Sequence, residues 1–131
     1  MQGDDFQSRV APWMQMCFGP TVLADKLERD DRLLEEVLEL LQSGGYPRER
    51  ISALTDYVFG RPVGEPVQET GGVMVTLAAR CLAYEIDMHA AGETELARIS
   101  SPETVLKIRA KQAAKPTGSA LPVASTPSKE G

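Results

Sequence analysis

Three closely spaced glutamates in the first third of the chain could together bind a metal ion. Glu36 and Glu39 are three residues apart, and Glu35 and Glu39 are four apart, so a helix would gather them on adjacent turns. Carboxylates this close repel one another unless a cation lies among them. Arg32 could be that cation, as the i,i+4 neighbour of Glu36, and so could Mg²⁺ or Mn²⁺, which prefer oxygen ligands. The alternative interpretation is a solvated, charged helix face.

A fourth glutamate begins a segment that is otherwise apolar nearly all round a helical wheel. One narrow polar stripe on that wheel consists of Glu69, Gly72, Thr76 and Arg80. The apolar pattern predicts a helix in the interior of a bundle, where charged side chains need partners. A metal ion bound jointly by Glu69 and the first three glutamates would be such a partner. Alternatively, Glu69 only favours the helix N-terminus electrostatically.

Basic and aromatic residues provide candidate contacts for a phosphate or a base. Lys26 and Arg29 are one possible phosphate contact, and Trp13, the only tryptophan, could stack on a base. The alternative for Trp13 is a core or interface aromatic. A basic cluster near the end of the last predicted helix could be a second phosphate contact: Lys107, Arg109, Lys111 and Lys115. The alternative is that these cations only favour the helix C-terminus electrostatically.

Composition and charge limit the classes of function. The 131 residues carry a net charge of −5, which argues against nucleic acid as the main partner. Cys17 and Cys81 are too few and too far apart for a disulfide scaffold and are interpreted as reduced core residues. The sequence has neither a signal-peptide pattern nor a run of 18 apolar residues. We therefore expect a cytoplasmic protein without a membrane span.

The pattern of apolar residues and helix-breaking residues predicts an all-α protein. Because the fourth helix is apolar on nearly every side and the chain is short, we expect a helical bundle that forms a homodimer or homotetramer. Residues 1–112 would form the helical domain, and residues 113–131, rich in Pro, Ser and Ala, a flexible tail. The helices are predicted at about residues 4–18, 21–43, 47–59, 66–86, 93–99 and 101–112.

Over roughly residues 5 to 112 the chain resembles the MazG-type all-α nucleoside triphosphate pyrophosphohydrolases. That family carries an E-E-x-x-E motif on one helix and an E-x-x-D motif on a later one. Residues 35–39 match the first motif in full, whereas the second is matched at Glu69 but has Gly72 in place of the aspartate. Glu65 and Asp87 are candidates for the missing oxygen ligand. The surroundings of the first motif also resemble the MazZ-like branch, which is associated with purine deoxynucleoside triphosphates such as dGTP and dATP.

The resemblance implies a metal-dependent hydrolase that cleaves a nucleoside triphosphate into its monophosphate and pyrophosphate. Glu36, Glu39 and Glu69 would hold Mg²⁺ or Mn²⁺, and Glu35 would be a further ligand or the group that orients the attacking water. Glu35 and Glu36 are thus the expected catalytic residues. Two other hypotheses stay open: a catalytically weakened nucleotide sensor, and a helical interaction protein whose charged faces are structural.

Overall fold

A computed structural model describes residues 5–23 and 25–114, and every regular element within them is an α-helix. The predicted all-α class is therefore confirmed for this part of the chain. In chain order the helices are α1 (Phe6–Leu23), α2 (Lys26–Ser43), α3 (Arg48–Phe59), α4 (Pro66–Ala83), α5 (Met88–Ile99) and α6 (Pro102–Ala113). The predicted tail from residue 115 onward lies outside the described residues.

The chain divides into two compact units. Within the described residues, the first unit comprises residues 5–23, 25–35 and 101–114, and the second comprises residues 36–100. The helix α2 begins in the first unit and ends in the second. In the first unit α1 packs against α6, and the buried apolar side chains there are Met14, Cys17 and Val105.

The start of α2 differs from the sequence prediction. We expected the first helix to end at about residue 18 and the second to begin at about residue 21. Gly19 does interrupt the helix, with φ +74°, a conformation that glycine adopts without steric cost. The chain then resumes a helical path as far as Leu23, because Pro20 has the fixed φ that favours the first turn of a helix. The cap of α2 is instead Asp25, whose Oδ1 accepts a hydrogen bond from the Glu28 amide at 3.1 Å.

Side-chain caps also define where α4, α5 and α6 begin. Glu65 Oε1 accepts a hydrogen bond from the Gln68 amide at 2.8 Å, and Asp87 Oδ1 accepts one from the Ala90 amide at 2.9 Å. Ser101 closes the first turn of α6 in the same way. These bonds satisfy amides that have no partner within the helix. The segment predicted only near residues 93–99 is consequently a full helix that starts at Met88.

Little of the second unit is buried. Between residues 36 and 100 only Cys81 has a buried side chain, while Val73, Met74 and Val75 on α4 are 49%, 65% and 69% exposed. The prediction that the fourth helix lies in the interior is therefore wrong for the single chain. The helix is as apolar as expected, but no other part of the chain that the structure describes covers it. None of the helices in the described ranges is long and apolar enough to cross a membrane.

One arginine joins the ends of α2 and α4 in the second unit. The Arg80 guanidinium lies 4.0 Å from the centroid of the Tyr84 ring, and its Nη2 is 3.4 Å from the carbonyl oxygen of Leu40. That carbonyl belongs to the last turn of α2, where a cation is favoured by the helix dipole. A Cβ on Gly44 would be 2.8 Å from Arg80 Nη2. The absence of a side chain at residue 44 thus lets the arginine reach α2.

The cap of α5 yields a stability prediction. Asp87→Ala removes the side-chain acceptor for the Ala90 amide and should lower the free energy of unfolding by about 1 kcal/mol. Asp87→Asn keeps an acceptor and should stay close to wild type. Chemical denaturation at one fixed protein concentration measures both, with Asp56→Ala on α3 as an exposed control that removes no cap. Equal loss in Asp87→Ala and Asp56→Ala would contradict the capping role.

Candidate metal and phosphate site

The acidic motif lies on an uninterrupted stretch of α2. Glu35, Glu36 and Glu39 are all exposed, whereas Val37 and Leu38 between them are half-buried. This alternation follows from the amphipathic pattern of α2, which directs leucine and valine to one side and the glutamates to the other. Glu36 and Glu39 belong to the second unit and lie on neighbouring turns. Two carboxylates are therefore presented together to solvent.

Glu35 is the last residue of the first unit and is already engaged by an arginine. Arg32 Nη1 forms an ion pair with Glu35 Oε1, and Arg32 Nε is 3.6 Å from Glu28 Oε2. Arg32 was expected as a partner of Glu36, and the structure shows ion pairs of Arg32 with Glu35 and Glu28. Glu28 is only 4% exposed, and it was not among the site residues expected from the sequence. The spacing of four residues between Glu28 and Arg32 is the feature of the sequence that could have indicated their ion pair.

Glu69 lies in the first turn of α4 and is exposed. Its side chain runs back over the preceding loop, so that a Cβ on Gly64 would be 2.9 Å from the Glu69 Cδ atom. Neither proposed substitute for the missing aspartate lies beside it as a free carboxylate. Glu65 caps α4, and Asp87 caps α5, since α4 ends at Ala83 rather than extending to Asp87. A ligand role for these two residues would compete with their capping hydrogen bonds.

A Cβ on Gly72 would meet no heavy atom within 4 Å, and the same is true of Gly71. Within the described residues, no group of three or more His, Cys, Asp or Glu side chains is placed to hold a metal ion. The donor chemistry of Glu36 and Glu39 nevertheless suits Mg²⁺, which is usually bound through one or two carboxylates together with substrate phosphates. The exposed pair on α2 could supply those carboxylates.

The predicted basic cluster on α6 is divided between two sides of the helix. Lys107 and Lys111 are one turn apart and exposed, whereas Arg109 lies between them in sequence and on a different face. Arg109 borders a cavity of about 320 Å³ within the first unit. Its lining comes from the end of α1 and from α6: Gln15, Met16, Cys17, Phe18, Gly19, Arg109, Gln112 and Ala113.

Cys17 is a core residue at this cavity rather than a reactive thiol. Its side chain is 4% exposed, and this burial raises the pKa of the thiol, although the positive charge of Arg109 opposes the rise. A thiol with a raised pKa is mostly protonated at neutral pH and is a poor nucleophile. The sequence interpretation of a reduced core cysteine agrees with this environment.

Trp13 and Arg29 meet at Phe18 in the first unit. The half-buried Trp13 ring contacts Phe18 edge to face, with 5.8 Å between centroids, and the Arg29 guanidinium lies 4.9 Å from the Phe18 centroid. Arg29 Nη1 also lies 3.7 Å from the sulfur of Met14. Packing therefore occupies part of the Trp13 ring, and its role in base stacking stays a prediction. Lys26, the first residue of α2, is exposed.

Several guanidinium donors near Arg29 are buried without an acceptor. The atoms Nε and Nη2 of Arg29 and Nε of Arg32 have no hydrogen-bond partner among the described residues. The buried Glu28 carboxylate is 3.6 Å from Arg29 Nη2, close enough for charge attraction but too far for a hydrogen bond. Buried donors without an acceptor cost free energy, so an anionic ligand or water that reached them would be stabilised.

Comparison of the chain with family models, with curated proteins and with solved structures found no match.

The open space at Gly72 yields a prediction about metal affinity. Gly72→Asp should bind Mg²⁺ or Mn²⁺ more tightly than wild type by calorimetry, because it adds a carboxylate one turn from Glu69 and there is room for the side chain. Gly71→Asp is the matched control, since that position is equally open but lies on another face of α4. If a folded Gly72→Asp variant binds metal no better than wild type, residue 72 is not at the ligand position.

Proposed function

We propose that this protein is a metal-dependent nucleotide pyrophosphohydrolase that converts nucleoside triphosphates to monophosphates and pyrophosphate. The observation that carries the proposal is the complete E-E-x-x-E sequence on a continuous, solvent-facing part of α2. A helix with leucines on one side and three carboxylates on the other has the donor type that Mg²⁺ and Mn²⁺ prefer. Purine deoxynucleoside triphosphates are the proposed substrates, on the strength of the MazZ-like resemblance.

In this proposal the glutamates have separate tasks. Glu36 and Glu39 hold the divalent cation, and Glu69 contributes a third carboxylate from α4. The bound cation supplies charge neutralisation at the phosphates and a more acidic water. Glu35 orients the attacking water or adds a ligand, and its pairing with Arg32 fixes the direction of its carboxylate. Such a reaction depends chiefly on positioning and charge stabilisation around phosphorus.

Basic residues of the first unit are the proposed phosphate contacts. Arg29 is the best supported of these contacts. Its buried atoms Nε and Nη2 lack a hydrogen-bond acceptor, and a phosphate oxygen could accept a hydrogen bond from them. Lys26 is exposed three residues before Arg29 and could add a point charge. The remaining proposed contacts are Trp13 for the base and Lys107, Arg109 and Lys111 for phosphates.

One observation favours a second candidate, a nucleotide-binding sensor with weak or no catalysis. At the position of the second-motif aspartate, Gly72 offers no oxygen, and the space beside it is open. A site with fewer protein ligands holds its metal less tightly, so nucleotide binding could persist while turnover is lost.

The exposed apolar surface of α4 would equally suit a helical interaction protein.

A homodimer or homotetramer is part of the proposal. The second unit buries a single side chain, although its helices carry large apolar residues such as Tyr57, Val73 and Met74. A unit of this size needs a hydrophobic core to offset the entropy lost on folding. A further copy of the chain would provide the missing half of that core. Location in the cytoplasm stays a prediction from the sequence.

The activity test combines a nucleotide panel with two substitutions. Wild type with Mg²⁺ or Mn²⁺ should release pyrophosphate from at least one purine deoxynucleoside triphosphate. Glu36→Gln and Glu39→Gln should each abolish this release, because they keep the side-chain shape but remove the charge that binds metal. Glu49→Gln, an exposed glutamate on α3, is the matched control.

The outcomes separate the two candidate functions. Release that survives within about twofold in both Glu→Gln variants would overturn the metal assignment. No release from any nucleotide, together with metal-dependent nucleotide binding measured by calorimetry, would favour the sensor.

The oligomer is tested by light scattering at micromolar concentration. We expect a mass of at least twice the 14.2 kDa of one chain. The mass should fall on dilution, since association follows mass action. A monomer at all concentrations, with helical content intact, would contradict this part of the proposal.

A further inference from the structure

One side of α4 is an exposed apolar stripe without charge. At about 100° per residue, six positions of the helix fall within a sector roughly 100° wide: Val67, Gly71, Met74, Val75, Ala78 and Leu82. The four large side chains among them are between 65% and 81% exposed. None of the six residues is ionisable, and a contiguous apolar surface of this kind marks an interaction site.

The apolar stripe and the polar stripe of α4 lie on nearly opposite sides of the helix. The centre of the polar stripe is about 150° around the helix from the centre of the apolar stripe. A partner that covers the apolar stripe therefore leaves Glu69 open to solvent on the far side. Gly72 lies beyond the edge of the covered sector, so the position at which the metal site lacks its aspartate also stays open.

The order of residue sizes along the apolar stripe is the same from either end. Starting at Val67, the order is large, small, large, large, small, large, and the small residues are Gly71 and Ala78. The spacing between successive positions is also symmetric about the midpoint between residues 74 and 75. In an antiparallel pair with its two-fold axis at that midpoint, Val67 of one helix is level with Leu82 of the other, and Gly71 with Ala78. Such symmetry is what an isologous interface between identical helices requires, whereas an unrelated partner requires none.

We propose that a second copy of this chain covers the apolar stripe with its own apolar stripe, so that the two α4 helices pack antiparallel. Beside the two-fold axis, Met74 contacts Met74 of the second copy at one edge of the stripe. At the other edge Val75 contacts Val75 of the second copy. The pairing buries the four large side chains that are exposed in the single chain. This inference rests on the oligomer proposed above and specifies its surface.

The small residues of the apolar stripe let the two helices approach closely. Gly71 lies in the interior of α4, where glycine is unfavourable relative to alanine. No heavy atom lies within 4 Å of where its Cβ atom would be, so the described residues make no contact that compensates for this glycine. In the pair, the methyl group of Ala78 from the second copy is level with Gly71 and packs against its backbone. Ala78 is half-buried in the single chain, and its small side chain leaves room for this approach.

The chain's own C-terminal segment is a poorer occupant. Residues 115–131 contain only two large apolar side chains, Leu121 and Val123, among prolines, serines, threonines and alanines. A segment of that composition has too little apolar surface to cover a helix. Its sequence also lacks the symmetric order of large and small residues, which a second copy of α4 supplies.

Cysteine cross-linking tests which residues meet at the axis. For helix axes about 8–10 Å apart, the two Cα atoms of residue 74 lie about 5–7 Å apart, within the range that a disulfide spans. Met74→Cys should therefore form a disulfide-linked dimer under mild oxidation. Thr76→Cys, on the polar stripe, is the matched control and should not. Wild type should not cross-link either, because Cys17 and Cys81 are buried. Equal cross-linking of Met74→Cys and Thr76→Cys would overturn the pairing.

Charged substitutions at residue 74 test the pairing in solution. Met74→Glu and Met74→Lys each bring two like charges together beside the axis and should raise the dimer dissociation constant at least about tenfold. An equimolar mixture of the two variants places a carboxylate beside an ammonium group and should associate at least about tenfold more tightly than either variant alone. Sedimentation velocity over a concentration series measures the constants, and circular dichroism verifies the helical content. Thr76→Glu is the control and should associate like wild type.

The outcomes separate the pairing from the proposals on which it rests. Wild-type association by Met74→Glu and Met74→Lys alone would overturn the pairing and leave the oligomer intact. A mixture of folded variants that associates no better than either one would also overturn the pairing. A monomeric wild type would overturn the oligomer and the pairing together. The proposed hydrolysis is decided separately, because its test uses Glu36→Gln and Glu39→Gln on α2.

Discussion

Uncovered apolar surface on the second unit is the constraint on which the rest of this structure depends. The helices α3, α4 and α5 are well formed, and side chains cap the starts of α4 and α5, yet between residues 36 and 100 only Cys81 is buried. Helical hydrogen bonds contribute little net stability to such short helices, which need a packed apolar face. The first unit differs, since Met14, Cys17 and Val105 form a small core between α1 and α6. The acidic motif at residues 35–39 begins at the last residue of the first unit and continues into the second.

The positions of the helices were predicted from the sequence better than the burial of their side chains. Periodicity and capping residues located α3, α4 and α6 within a few residues, because those signals are local. The boundary between α1 and α2 was missed, since the chain resumes a helical path after the kink at Gly19. The burial of α4 was missed for another reason. An apolar pattern predicts that a helix is covered but carries no information on whether the cover comes from the same chain.

The candidate site shows the same division between local and non-local information. The spacing of Glu35, Glu36 and Glu39 was enough to place them together on one face of α2, and the structure has them exposed there. The partners of Arg32 were not predictable, because i,i+3 and i,i+4 neighbours in both directions compete for one guanidinium. The separation of Arg109 from Lys107 and Lys111 follows from helix geometry and could have been deduced. The position of Glu69 relative to α2 depends on tertiary packing that no spacing rule supplies.

The contact of Arg80 with the Leu40 carbonyl has a consequence for what residue 44 can be. The contact joins the last turn of α2 to the last turn of α4, and the absence of a side chain at Gly44 allows this close approach. Even a methyl group at residue 44 would be 2.8 Å from Arg80 Nη2, so the guanidinium would have to move. The smallest possible substitution in the turn after α2 would therefore disturb the ends of two helices at once.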